Sequence, residues 1–395
     1  MPLKSLPRLP IGEASFENLR IRRCLYCDKT ALIYQLTLDH PYCLLTRPRR
    51  FGKSLLLSTL YSLFKSGVTY FSDLYIEKVW DEPLYKVLNL DFSRLDTQST
   101  ERLDQSLSGL IRESAMENAL DISNWPIASA KQALIEFKIR CGKQRMVILI
   151  DEYDAPILAN QNHPQLQRQI TERLADFFNS LKGAAKGSRF VMLCGVTRNT
   201  LSNEYSSMNF LTDISLESEY AALTGFTEKE LTKTFEPYLT AACSYLKLSM
   251  SALLAEIRTH YDGYAFDPLC SVKVYNNWSI LNFLNDKFFR FSNYWYETGK
   301  ISSHVKQYLI EQSQTSEGTY FSVLMEKLAQ GHYISITSLR SAPDFKRACP
   351  LISLFYTGYL TVQGTDNVHS PAQLCLGIPN LEIASALAVS ILRLS

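Results

Sequence analysis

The sequence predicts an α/β fold built on a mainly parallel sheet, followed by a helical region and a smaller mixed C-terminal region. Three observations carry this prediction. Between about residues 40 and 220, short β-branched or apolar runs alternate with long helical patterns, which is how strands joined by crossover helices read. Some runs, such as MVILI (146–150), are apolar without interruption, as strands covered on both faces must be. After 220 the alternation stops. A chain of 395 residues exceeds one ordinary core, and the changes of pattern divide it at 1–222, 223–310 and 311–395.

The strand candidates in order are YCLL (42–45), VLNLDF (87–92), MVILID (146–151), FVMLCGV (190–196) and DISL (213–216). Helical patterns lie between them near 52–65, 101–120, 127–140 and 164–184. Thr227 followed by Glu230 forms a capping-box sequence that starts a helix, and the segment to about 310 reads as aromatic-rich helices forming a lid. Beyond 320 the pattern gives helical pieces and a strand pair around GYLTVQG (358–364) and CLGIPN (375–380). The chain ends in LEIASALAVSILRLS (381–395), an apolar helical pattern without a polar tail. That ending predicts a continuation beyond Ser395 and an apolar face left exposed on this helix.

The chemistry is concentrated at three strand ends. Leu44 and Leu45 lead into Arg47, Pro48, Arg49, Arg50, Phe51, Gly52, Lys53 and Ser54, and then into a leucine-rich helix. Gly52-Lys53-Ser54 is the second half of a phosphate-binding loop. In such a loop backbone N–H groups and a helix N-terminus face the anion, Lys reaches the β- and γ-phosphates, and Ser holds Mg²⁺. Arg47 stands where the first glycine belongs, so the turn needs another backbone geometry. The strand MVILI delivers Asp151 and Glu152 at its carboxyl end, the residue types that hold Mg²⁺ and polarise the attacking water in P-loop NTPases. FVMLCGV runs out into Thr197, Arg198 and Asn199; Arg198 is a candidate charge stabiliser in cis. In an open α/β sheet these ends share the ligand-binding edge. The fold predicted is therefore a P-loop NTPase. The catalytic candidates are Lys53, Glu152 and Arg198, and Ser54 and Asp151 are the metal ligands.

Composition narrows the partners. Lys and Arg number 41 against 39 Asp and Glu, a formal net charge of +2, so no whole-molecule field draws the chain to nucleic acid or membrane. No apolar run reaches the length of a spanning helix, and prolines interrupt the N-terminal segment MPLKSLPRLP where a signal peptide is continuous. A cytoplasmic location is expected. Nine scattered cysteines fit reduced thiols, and the single C-x-x-C at Cys24 and Cys27 lacks the second pair that a closed zinc site requires.

The segments LPIGEASFENL (9–19), LYCDKTALI (25–33), LLTRPRRFGKSLLLSTL (44–60), VILIDEYDAPI (147–157), MLCGVTRNT (192–200), MNFLTDISL (208–216), LTGFTEKEL (223–231), HYDGYAFDP (260–268) and VYNNWSILNFL (274–284) together resemble the AAA-ATPase-like proteins of bacteria and archaea. In these a P-loop ATPase domain usually precedes a PD-(D/E)XK nuclease-like domain. The resemblance implies an AAA/ASCE-like core and a loop of the form R-P-R-R-F-G-K-S, so that Arg47 belongs to the pattern. It also implies Mg²⁺ and ATP, ATP rather than GTP resting on the resemblance alone. Arg49, Arg50, Phe51, Gly52, Lys53, Ser54 and Leu55 are then expected to contact the nucleotide, with Asp28 of the Y-x-D-K-T segment either beside it or in a capping or ion-pair role. The aromatics of YDGY (261–264) and Phe266 either stack on adenine or pack in a core. No carboxylate–lysine cluster for two-metal nuclease chemistry is legible after residue 300, so the nuclease-like domain is expected to be absent and no nuclease activity is expected. A homo-oligomer, a nucleic acid or a separate nuclease-like chain are the partners the resemblance leaves open. The reading is an ATPase whose nucleotide state moves the lid and an effector region. Its alternative is a nucleotide-binding switch or scaffold with little turnover.

Overall fold

The computed structural model describes residues 6–125, 129–198, 208–295, 314–315, 318–319, 331–341, 350–366 and 373–392. Five parallel strands form the central sheet: β1 (Tyr42–Thr46), β2 (Lys86–Asp91), β3 (Met146–Asp151), β4 (Phe190–Gly195) and β5 (Thr212–Asp213). Their order is β2-β3-β4-β1-β5, every pairing being parallel. The α/β expectation is met. Thr46 pairs with Gly195, and Asp91 with Asp151, so the carboxyl ends of these strands lie along one edge.

Alternate residues of each strand feed opposite cores. Ile148 and Ile150 join Leu88, Leu90, Val191 and Leu193 under α4 (Thr100–Glu117), α5 (Ala130–Arg140) and α7 (Pro164–Ala185). Val147 and Leu149 join Cys43, Leu45, Met192 and Cys194 under α1 (Phe16–Ile21), α2 (Thr30–Asp39) and α3 (Lys53–Ser66). Burial on both faces is why the strands read as continuous apolar runs. At the sheet edge, β2 exposes Asn89. The predicted strand DISL contributes only its first residue to the ladder, because Ser215 turns its hydroxyl onto Thr46 N at 2.8 Å instead of continuing the pairing.

A short helix, α6 (Ala155–Ala159), follows β3. Helices α8 (Glu228–Thr234), α9 (Glu236–Leu246), α10 (Met250–Tyr261) and α11 (Asn277–Asn285) then build a third core around Phe226, Phe235, Tyr261 and Phe283. The N-terminal residues Leu6, Leu9 and Ile11 pack against it. The predicted strand pair near the C-terminus is Thr361–Asp366 antiparallel to Gln373–Gly377, and a third strand, His332–Ser335, extends it. With the helices Pro350–Thr357 and Leu381–Leu392 this sheet encloses a fourth core. Ile383, Ala386 and Leu387 of the final helix are buried in the protein and Leu381 is exposed, so this helix hides more of its apolar face than its sequence predicts. Residues 296–310 of the expected lid and Asn199 lie outside the described residues.

Candidate functional site at the sheet edge

The loop from Arg47 to Gly52 joins β1 to α3. It turns through two left-handed residues, Arg50 at φ 72° and Gly52 at φ 87°. Gly52 is the N-cap of α3 and offers no side chain to its first turn, which leaves N–H groups available to an anion. Arg47, at the position expected for a glycine, braces the loop from behind. Its buried guanidinium donates to Thr46 O at 2.9 Å, Ser215 O at 2.6 Å and Tyr220 O at 3.3 Å, and it lies 4.2 Å from the Phe266 ring centroid. Burial lowers its pKa to about 9, against the opposing pull of Asp213.

Lys53 is buried, and its ammonium donates to Arg47 O at 3.0 Å and Pro48 O at 3.2 Å. Beside it, Ser54 lines the same cleft as Asp151, which ends β3. Burial pushes the Asp151 carboxyl up to about 6, although Ser54 and Lys53 pull it down. Glu152 follows with φ 49°, an uncommon conformation outside glycine, and its N–H donates to Asp151 Oδ1 at 2.9 Å. The last carboxylate of the D-E-Y-D run turns inward. Asp154 is fully buried and accepts from Val196 N, Thr197 N and Thr197 Oγ1, binding the end of β3 to the end of β4.

These residues wall a cleft of about 520 Å³. Arg49, Arg50, Phe51, Gly52, Lys53, Ser54, Leu55, Asp151 and Glu152 all line it. Phe51 is in this wall although its ring is buried edge-on to Tyr264 and Phe266, with centroids at 4.8 and 5.1 Å. Two candidates are placed elsewhere. Asp28 is not part of the wall; it accepts from Thr30 N, Thr30 Oγ1 and Tyr75 N, so its carboxylate is engaged by the first residue of α2 and by Tyr75. Arg198 reaches across β1 to Asp213 on β5, with Nε 3.0 Å from Oδ2, and also stands outside the wall. Its guanidinium is engaged by Asp213 and does not line the cleft, so the geometry offers no contact that supports Arg198 as a stabiliser in cis.

The cleft has walls that the strand-end reasoning did not supply. Asp91, the last residue of β2, and Ser93 line it, and Asn277 and Trp278 line it from the start of α11. The signal for the latter was present as an Asn N-cap, Asn276, ahead of an apolar-periodic run. Tyr261, Tyr264 and Phe266 are buried in cores, and an added Cβ at Gly263 would meet Pro379 O at 2.2 Å. The close backbone approach at this glycine is therefore to the C-terminal segment.

The donor set suits a magnesium nucleotide. Ser54 and Asp151 offer hard oxygen donors adjoining a lysine and a helix N-terminus, and Mg²⁺ bound with a nucleotide takes one or two protein oxygens, with phosphates and waters completing its shell. Among the described residues no group of three or more His, Cys, Asp or Glu side chains could hold a metal. Cys24 and Cys27 are free, buried thiols whose pKa values burial raises.

A family profile described as "Predicted AAA-ATPase" matches residues 10–203. A protein of Azotobacter chroococcum mcd 1, described as "Uncharacterized protein in vnfD 5'region", is 30% identical over 392 residues, covering 98% of this chain and 70% of the relative. Among solved structures, the Aeropyrum pernix ORC1 protein in complex with DNA aligns with 11% identity over 100% of this chain and 97% of that one. Its TM-score is 0.28, a value at which the likeness carries no weight.

Proposed function

The chain belongs to the predicted AAA-ATPase family, and from that premise we propose that it binds Mg·ATP in the sheet-edge cleft and hydrolyses it. The observation that supports this most is the meeting of two segments far apart in sequence: Lys53 and Ser54 after β1, and Asp151 and Glu152 after β3, in one cleft. In this reading the first turn of α3 receives the phosphates, and Lys53 exchanges its loop carbonyls for the β- and γ-phosphate oxygens. Ser54 and Asp151 hold the metal, which when bound neutralises phosphate charge. Glu152 orients and deprotonates the attacking water. Arg49 and Arg50, both exposed at the mouth, add positive potential. The cytoplasm is the proposed location. Among the described residues no helix is long and apolar enough to cross a membrane.

The test is phosphate release from Mg·ATP by the full chain, beside Lys53→Ala and Glu152→Gln, with nucleotide binding measured in parallel. The wild type should turn over and Lys53→Ala should lose binding. Glu152→Gln should bind normally and lose about a hundredfold or more in rate, the usual contribution of a positioned base. If the wild type binds nucleotide but releases no phosphate, and Glu152→Gln behaves identically, the protein is a nucleotide-binding switch instead of an ATPase.

A further inference from the structure

Helix α11 meets the phosphate loop at its own first turn. An added Cβ at Gly52 would lie 2.8 Å from Asn277 Nδ2, so this carboxamide already touches the loop one residue before Lys53. Beside it the Arg50 guanidinium covers the Trp278 ring, 4.3 Å from its centroid. Asn277 and Trp278 both face the cleft, and Asn277 Oδ1 is buried without a hydrogen-bond partner among the described residues. The helix does not need Asn277 as its cap. Asn276 performs that task, its Oδ1 accepting from Trp278 N at 2.9 Å and Ser279 N at 3.2 Å.

A buried amide oxygen without a partner is costly, and this one is placed where the loop backbone turns into a helix N-terminus. A group in contact with Gly52 lies beside whatever anion that N-terminus receives. We propose that Asn277 is a nucleotide contact carried by the helical lid. Its amide N–H donates to a phosphate oxygen over the loop, and the turn of the carboxamide that this contact requires brings its buried carbonyl out to water of the phosphate shell. This rests on the ATP-binding reading and adds the element that closes on the polyphosphate. The Arg50–Trp278 stack holds the two elements in register, because neither side chain can move without uncovering the other.

The experiment measures, by calorimetry on the full chain, dissociation constants for AMP, Mg·ADP and Mg·ATP in the wild type, Asn277→Ala, Asn277→Asp and Lys53→Ala, with the thermal midpoint of each. Asn277→Ala should weaken Mg·ADP and Mg·ATP about tenfold, the loss of one charge-assisted hydrogen bond. Asn277→Asp, isosteric but anionic, should weaken them about a hundredfold, with a penalty that grows from AMP to ATP and shrinks in high salt. Equal affinities in all the Asn277 variants, or a penalty identical for AMP and ATP, would overturn the assignment while leaving the ATP-binding reading intact. If the wild type binds none of the three ligands, the ATP-binding reading itself fails. Should Asn277→Asp not fold, Asn277→Ala beside Asn277→Gln serves the same end: Gln should recover part of the Mg·ATP affinity, and no recovery counts against the proposal.

Discussion

Asp154 is the residue on which the geometry of two strand ends depends. Every partner of its carboxylate is a donor: Val196 N, Thr197 N and Thr197 Oγ1. Burial, with Glu152 next in weight, raises its pKa above the usual carboxylate range. Gly195 leaves room for this arrangement, since an added Cβ would lie 2.5 Å from Tyr153 Cε1 and 2.7 Å from Asp154 Oδ1. Asp154→Asn turns one acceptor into a donor facing donors, and should cost about 2–3 kcal/mol of stability in urea unfolding. Gly195→Ala should cost about 1–3 kcal/mol by forcing those side chains aside. A loss below about 0.5 kcal/mol in both would mean that the strand ends are held by something else. The D-E-Y-D run reads as four polar or aromatic residues after a strand. That its last carboxylate is buried follows from Val196 and Thr197 beyond the end of β4, a partnership no local pattern announces.

At the scale of elements, one carboxylate both starts a helix and ties it to the core. Glu230 Oε2 accepts from Thr227 N and Thr227 Oγ1 as the capping box of α8, and from Lys29 Nζ at 2.6 Å. Lys29 is itself nearly buried and otherwise donates to Ala222 O. Thr227→Ala removes a cap and should cost about 1 kcal/mol. Glu230→Ala also strands a buried ammonium and should cost about 3 kcal/mol or more. Equal losses in the two variants, measured by urea unfolding, would show that the Lys29 pair adds nothing. The capping box was legible because its spacing is local, as were β1 to β4, whose two-sided burial writes itself as apolar runs. Other elements were hidden by weak local signals. Helix α2 carries IYQLTL, β-branched and aromatic enough to pass for a strand, and His332–Ser335 is too short a run to stand out. In the site, Lys53, Ser54, Asp151 and Glu152 were legible because strand ends mark them, whereas Asn277 and Trp278 reach the cleft through packing of α11 on the loop.

The whole molecule places the phosphate loop between two cores built largely by later sequence. Phe51 is buried against Tyr264 and Phe266, and an added Cβ at Gly358 would meet Pro48 Cβ at 2.9 Å, so the fourth core also packs against the loop. That core is joined to α11 by Glu382, whose buried carboxylate accepts from Ser279 Oγ at 2.7 Å and Trp295 N at 2.8 Å. Burial pushes its pKa up to about 7, against those hydrogen bonds. A raised carboxyl pKa means that the folded state holds its proton longer than the unfolded one. The stability is therefore fully present below the ordinary value near 4.5 and is lost as pH rises through about 7, a loss of about 3 kcal/mol between the limits. Glu382→Gln cannot titrate, so its stability relative to the wild type should climb by about that amount from pH 5 to pH 8 in urea unfolding, and a difference independent of pH would remove the carboxyl from the account. The same helix that receives Glu382 at Ser279 begins at Asn277 over the phosphate loop. Mg·ATP affinity of the wild type should accordingly fall between pH 6 and pH 8 relative to Glu382→Gln. Matching affinities across that range would confine Glu382 to holding the fold, with no reach to the cleft.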